Sequence, residues 1–190
     1  VGSEMCIRDR VTSQQRSAAK AVNFGIVYGI SDFGLARNIG VSRKEAADYI
    51  QRYFQRYPGV KAFMDRCVQE GREKGYATTL LGRRRELPEL ASSNFNTRSF
   101  GERVAMNMPI QGTAADIIKL AMIRVEHRLA QEGLQAQLVL QVHDELIVEC
   151  PQAEADTVAR LLTQEMEGVA QLAVPLTAEA KVGQTWAEAH

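Results

Sequence analysis

Long apolar runs are missing from this chain. No stretch of about 18 uncharged apolar residues occurs, which excludes a membrane-spanning helix. Residues 1–10 (VGSEMCIRDR) carry charge where a secretory signal needs an apolar segment, so no signal peptide is read there. They match no pattern downstream, and read either as foreign, translated-adapter sequence or as a short disordered terminus. Cysteine is scarce as well. Cys6, Cys67 and Cys150 are three in number and widely spaced, which suits neither a disulfide framework nor a zinc site and points to a reducing cytoplasm. Internal repeats and low-complexity tracts are absent.

An excess of charge of one sign is also lacking overall, but the zero net charge conceals a division. Residues 1–131 hold 21 Lys and Arg against 13 Asp and Glu, whereas residues 132–190 hold 2 against 10. The basic portion suits a polyanionic partner such as nucleic acid, and ordinary surface variation explains it equally well. With 190 residues, 45% of them apolar, the chain is long enough to bury a core and to form one or two domains.

The pattern is helical first and mixed afterwards. A helix is expected from Thr12 or Ser13, with Gln15 completing a capping box, to about Tyr28, where Gly29 stops it. Ser42 and Glu45 form a second box, followed by Ala46, Tyr49, Ile50, Tyr53, Phe54 and Tyr57 at helical spacing, read as a core stripe. Pro58-Gly59 breaks that helix, and another carrying Val60, Phe63, Met64, Cys67 and Val68 ends before Gly75. Residues 76–96 read as loop. A long helix resumes near Thr97, is disturbed at Pro109 and Gly112, and ends near Gly133. Two strands, Ala136–Val142 and Glu145–Cys150, are joined by His143-Asp144 as a two-residue hairpin turn. A helix over 152–167 follows, and the alternation of Val174, Leu176, Ala178, Ala180 and Val182 predicts a last half-buried strand.

Three groups of residues carry chemistry. Arg16, Lys20, Phe24 and Tyr28 each lie four residues after the last, so they drift only about 40° per step and share a helix face. Two cations one turn apart can clamp a polyphosphate, and two rings further along can pack on a sugar and base. From spacing alone an amphipathic surface helix is the better reading, because Ser17 and Val27 fall within the stripe. Asp144 and Glu145 sit at a hairpin tip, a rigid support for a hard cation such as Mg²⁺, although a solvated acidic turn is the commoner fate of that dipeptide. Arg103, Asn107 and Gln111 again step by four, and long polar side chains in a line can reach minor-groove acceptors without reading sequence. Arg83, Arg84 and Arg85 read as phosphate contacts or as a solvated turn, and Asp116 as a cap paired with Thr113.

The first group, written Arg16-x-x-x-Lys20-x-x-x-Phe24-Gly25-x-x-Tyr28-Gly29, resembles motif B of the family A DNA polymerases. Val142-His143-Asp144-Glu145 resembles motif C of that family, and Glu102 to Asp116 resembles its duplex-contacting stretch. The likeness runs over residues 11–190, including the tail Gly183-x-x-Trp186-x-x-Ala189-His190. It implies an α+β fold: a helical fingers subdomain over 11–98, then part of a palm over 99–190 with an antiparallel hairpin and packed helices.

The resemblance also implies roles. Arg16 and Lys20 would bind the phosphates of an incoming deoxynucleoside triphosphate, with Lys20 also considered as proton donor to pyrophosphate. Phe24 would pack near sugar and base, and Tyr28 would sit by the template. Asp144 would bind catalytic metal, two Mg²⁺ in a complete enzyme, with Glu145 in a lesser role and His143 near the primer end. Arg103, Asn107 and Gln111 would contact primer-template. The family's other metal aspartate lies in a segment like Asp-Tyr-Ser-Gln-Ile-Glu, which this sequence does not contain. A fragment inactive by itself is therefore expected, cytoplasmic and monomeric, whose four motif B groups face a cleft overlooked by Asp144. A single-subunit RNA polymerase relative is disfavoured by Phe24-Gly25 and by Glu145. A non-catalytic DNA-binding remnant stays open.

Overall fold

Local signals set the first helix. Thr12 caps α1 (Ser13–Val27) through a reciprocal box: Gln15 N donates to Thr12 Oγ1 at 3.1 Å, and Thr12 N donates to Gln15 Oε1 at 2.9 Å. Gly29, at φ 72°, ends it. The chain is seen in a computed structural model that describes residues 11–189. The expectations for residues 1–10, Cys6 and His190 lie outside the described residues. Two compact units divide between Ile110 and Gln111, inside a π turn, Met108–Gly112. The expected subdomain boundary at 98/99 falls within a helix of the first unit.

In the first unit α1 is followed by α2 (Asp32–Ile39), α3 (Arg43–Arg56) and α4 (Pro58–Lys74). Ser42 caps α3 in the predicted box with Glu45, and Gly75 at φ 77° ends α4. Helix α2 was not read from the sequence. Its signals are a Ser31 cap, whose Oγ accepts from Gly34 N at 3.1 Å, and Gly40 in the left-handed region. The segment read as loop holds an antiparallel pair, β1 (Tyr76–Thr78) with β2 (Arg84–Glu86), and a 3₁₀ turn, Pro88–Ala91. Three-residue strands are too short for alternation to show. Helix α5 (Phe95–Asn107) starts where Asn94 Oδ1 accepts from the amides of Asn96 and Thr97. A core of Ala77, Leu87, Leu90 and Ala105 joins the hairpin, the 3₁₀ turn and α5. The α3 stripe is not wholly core: Ala46 is buried, but Tyr49 and Tyr57 are 42% and 52% exposed.

The second unit contains α6 (Thr113–Gln131), β3 (Gln137–Val142), β4 (Glu145–Glu149), α7 (Ala155–Glu167) and a final turn of helix, α8 (Trp186–Ala189). Its core is the predicted apolar side of α6 and α7: Val125, Leu129, Val158 and Leu161, with Leu146 and Val148 of β4 packed on it. Gly112 stands at the α6 cap position, which puts Thr113 and Asp116 inside the first turn of the helix. The strand expected over 174–182 is not formed either. Alternation supplies a face, but a strand also needs a neighbour for its amides. Among the described residues β3 pairs only with β4, and Ala178 N donates instead to Glu167 Oε1 at 3.0 Å. Val174 and Val182 are mostly exposed. The fold class is nevertheless the expected α+β: mostly helical, with small antiparallel strand pairs.

Candidate functional site

Helix α1 carries no acidic residue, so its two cations meet no opposing charge on their own helix. Arg16 and Lys20 are exposed, and neither forms an ion pair among the described residues. Ala18 and Val22 are half-buried and Ile26 is buried, so the small aliphatic face turns inward and the charged face outward. Lys20 Nζ lies 5.8 Å from the centre of the Phe24 ring, within cation–π reach. Phe24, half exposed, and Tyr28 stack with centroids 6.2 Å apart and planes 21° from parallel. Lys20, Phe24 and Tyr28 thus follow one another in contact as a row, with Arg16 exposed one turn before Lys20.

The end of that row is held by α5. A Cβ on Gly29, whose φ is 72°, would lie 2.5 Å from Met106 Cε and 3.3 Å from Arg103 Cγ, so a side chain there meets both backbone strain and crowding. Arg103 is exposed, donates to Ser99 Oγ at 3.1 Å and lies 6.0 Å from the Phe100 ring centre. Met106 was not singled out in the sequence; its helical position beside Arg103 is the only signal it carries. Asn107 lies one turn beyond Arg103 but is half-buried, and its Oδ1 is enclosed with no hydrogen-bond partner. An unmet buried acceptor costs about 1–3 kcal/mol, so it marks a place where a donor would be accepted. Gln111 is exposed but belongs to the π turn and to the second unit, where stepping by four no longer holds. Pro109, which lacks an amide proton, sits inside that turn.

In the second unit the predicted hairpin has Val142 opposite Glu145, leaving His143 and Asp144 as its two turn residues. His143 takes φ 51°, a left-handed conformation that His reaches more readily than most residues. Gln141 Nε2 donates to the His143 carbonyl at 2.7 Å and braces the turn, a role its place at the end of β3 did not announce. Asp144 and His143 are exposed, while Glu145 is half-buried at the start of β4. Asp144 is therefore an outward carboxylate on a braced support. Its oxygens fit a hard divalent cation in type and fall short in number. Among the described residues no group of three or more His, Cys, Asp or Glu could enclose a metal. Arg83, Arg84 and Arg85 are all exposed, with the Arg84 guanidinium 4.6 Å from the Tyr76 ring centre. Cys67 and Cys150 are free thiols, and burial raises the pKa of both.

Comparison with known proteins gives the following. The family model described as DNA polymerase family A matches residues 3–188. DNA polymerase I of Bacillus caldotenax is 59% identical over 181 residues, covering 95% of this chain and 21% of that protein. The Bacillus subtilis (strain 168) DNA polymerase I is 55% identical over 182 residues, again 21% of its length. The chain therefore spans about a fifth of the curated relatives it matches. A solved structure, the POL domain of Pol1 from M. smegmatis in complex with DNA primer-template and dNTP, superposes with a TM-score of 0.92. It is 42% identical, with 95% of this chain and 32% of that chain covered.

Proposed function

Since the chain belongs to the family A DNA polymerases, we propose that it is the part of a DNA-directed DNA polymerase that grips the incoming nucleotide and supplies one metal-binding carboxylate. The observation that carries this reading is the outward row on α1, where Arg16 and Lys20 precede the stacked Phe24 and Tyr28 on a helix without acids. Two cations would hold the triphosphate, Phe24 would pack on sugar and base, and Tyr28 would border the template base. Arg103, Asn107 and Gln111 would contact primer-template, with His143 near the primer end. The solved relative bound to primer-template and dNTP supports both partners.

The reaction of an enzyme with the whole active site would be attack of a primer 3′-hydroxyl on the α-phosphate, with release of pyrophosphate. Asp144 would hold Mg²⁺, with Glu145 beside it in a lesser role, and the chemistry the ion supplies is neutralisation of charge on the phosphates. Lys20 would place an ammonium against the departing phosphates and is the candidate donor of a proton to them. Most of the catalytic effect of these residues would come from positioning. The 190-residue chain contains no segment like Asp-Tyr-Ser-Gln-Ile-Glu, so by itself it would bind without turning over. Primer extension above background by this chain, with Mg²⁺ and four nucleotides, would contradict that.

The decisive experiment is binding of Mg²⁺-dNTP to the chain, measured separately from duplex binding. A charge-assisted bond to phosphate contributes about 1.5–3 kcal/mol, so Lys20→Ala is expected to weaken nucleotide binding by roughly 10- to 100-fold with duplex binding little changed. Nucleotide binding as strong as the parent chain's in both Lys20→Ala and Arg16→Ala, with helix content intact, would remove the assignment. In a complete enzyme Asp144→Asn is expected to abolish turnover and keep DNA affinity; full rate in that variant would refute the metal role.

A further inference from the structure

One aromatic row takes no part in the site above. On α3 and its C-cap residue, Tyr49, Tyr53 and Tyr57 recur every four residues, with Arg52 and Arg56 immediately before Tyr53 and Tyr57. At 100° per residue the four helical positions, Tyr49, Arg52, Tyr53 and Arg56, fall within an arc of about 100°, and Tyr57 is the C-cap, at φ −125° and ψ 67°. A buried stripe was expected, yet Tyr49 and Tyr57 are 42% and 52% exposed, and Arg52 and Arg56 are exposed beside them. Tyr53 and Tyr57 are in contact, with ring centres 5.1 Å apart, and the Arg52 guanidinium lies 5.2 Å from the Tyr49 ring centre.

The electrostatics of the face favour an anion. The two acids of α3 are both engaged: Glu45 accepts from Ser42 in the cap, and Asp48 pairs with Arg52 one turn on. Arg56 makes no ion pair among the described residues. Lys61, at the start of α4 and 5.9 Å from the Phe54 ring centre, is paired with Asp65. The surrounding residues 11–110 hold 16 Lys and Arg against 9 Asp and Glu, a net charge of +7. A polyanion is drawn to such a surface, and exposed rings interleaved with guanidinium groups are what bases stack on.

Spacing selects the form of that polyanion. Rings four residues apart on a helix repeat about every 6 Å along its axis, against about 3.4 Å between stacked bases of one strand. The rings therefore match a strand whose bases are spread apart, and not a duplex. We propose that the Tyr49–Arg52–Tyr53–Arg56–Tyr57 face of α3 is a docking surface for single-stranded DNA. This rests on the reading that the chain handles DNA, but on side chains separate from Arg16, Lys20, Phe24 and Tyr28, so the two assignments fail separately.

The test is fluorescence anisotropy of the 190-residue chain with a labelled oligo-dT and with a labelled duplex, at fixed salt. Tyr49→Ala/Tyr57→Ala is expected to weaken oligo-dT binding roughly tenfold, on the scale of losing exposed stacking partners, with duplex binding and Mg²⁺-dNTP binding within twofold of the parent chain. Tyr49→Phe/Tyr57→Phe, which keeps the rings, is expected to bind like the parent, and Arg56→Ala to flatten the salt dependence of oligo-dT binding. Circular dichroism of each variant separates lost binding from lost fold. The proposal is overturned if the double alanine variant binds oligo-dT like the parent, if it loses oligo-dT and duplex equally, or if the phenylalanine variant loses as much. Self-association of the chain that depends on the two tyrosines, with oligo-dT binding unaffected, would assign the face to a protein partner instead.

Discussion

Gly29 is where the geometry of the candidate site can be tested through stability. Replacing it with alanine meets two separate obstacles. The backbone sits at φ 72°, and holding a residue with a Cβ in the left-handed region costs about 1–2 kcal/mol. The new Cβ would also lie 2.5 Å from Met106 Cε and 3.3 Å from Arg103 Cγ. Met106 Cε is the end of a flexible side chain and can swing aside, whereas Arg103 Cγ lies near its backbone and must shift. A packing cost near the lower end of overpacking, about 1 kcal/mol, is therefore added. The total for Gly29→Ala is about 2–3 kcal/mol. Gly40 provides the control: it has nearly the same conformation, φ 70°, and nothing within 4 Å of its would-be Cβ. Gly40→Ala is expected to cost only the backbone part, about 1–2 kcal/mol. Urea denaturation followed by helical circular dichroism measures both. If Gly29→Ala is no worse than Gly40→Ala, the close approach of α5 to the end of α1 is not a real constraint. If both changes cost less than about 0.5 kcal/mol, the left-handed assignments fail too.

Two further perturbations probe other links. Leu87, 2% exposed among Ala77, Leu90 and Ala105, is expected to cost about 2–5 kcal/mol as Leu87→Ala; a thermal denaturation loss below about 1 kcal/mol would show that this core can collapse onto the gap. Acid should loosen the α2–α3 pair: the hydrogen bond and ion pair from Arg43 hold the Asp32 carboxyl below its ordinary pKa, and Ser42 does the same to Glu45. Groups with lowered folded-state pKa values add stability that is present above the ordinary carboxylate range and lost as pH falls through the folded values. A pH titration of helix content should therefore show an acid-side loss that shrinks in Asp32→Asn and Glu45→Gln; an unchanged acid limb in the double variant would refute it.

How much was legible depended on how far apart the cooperating residues lie. The capping boxes at Thr12 and Ser42 are contained within four residues each, and both formed as the spacing predicted. The hairpin turn at His143-Asp144 is similarly local, framed by two apolar runs. Helix α2 escaped notice because it is only eight residues long and its cap and stop signals lie within a stretch of mixed character. The roles of Arg16, Lys20, Asp144 and their neighbours came from resemblance to a family, since spacing alone fits a surface helix and an acidic turn equally well or better.

What the sequence determined by itself, then, is whatever a single turn of backbone can enforce: where α1 and α3 begin, where glycines end the helices, and which side of α6 and α7 is apolar. Tertiary structure decided the rest. It turned Tyr49 and Tyr57 outward from a stripe that looked wholly core, and it enclosed Asn107 Oδ1 beside an exposed Arg103. It also left the alternating residues 174–182 without a ladder among the described residues. The physical reason is the same in each case. Periodicity specifies a face, but burial and strand pairing are properties of whatever packs against that face, and that partner comes from elsewhere in the chain.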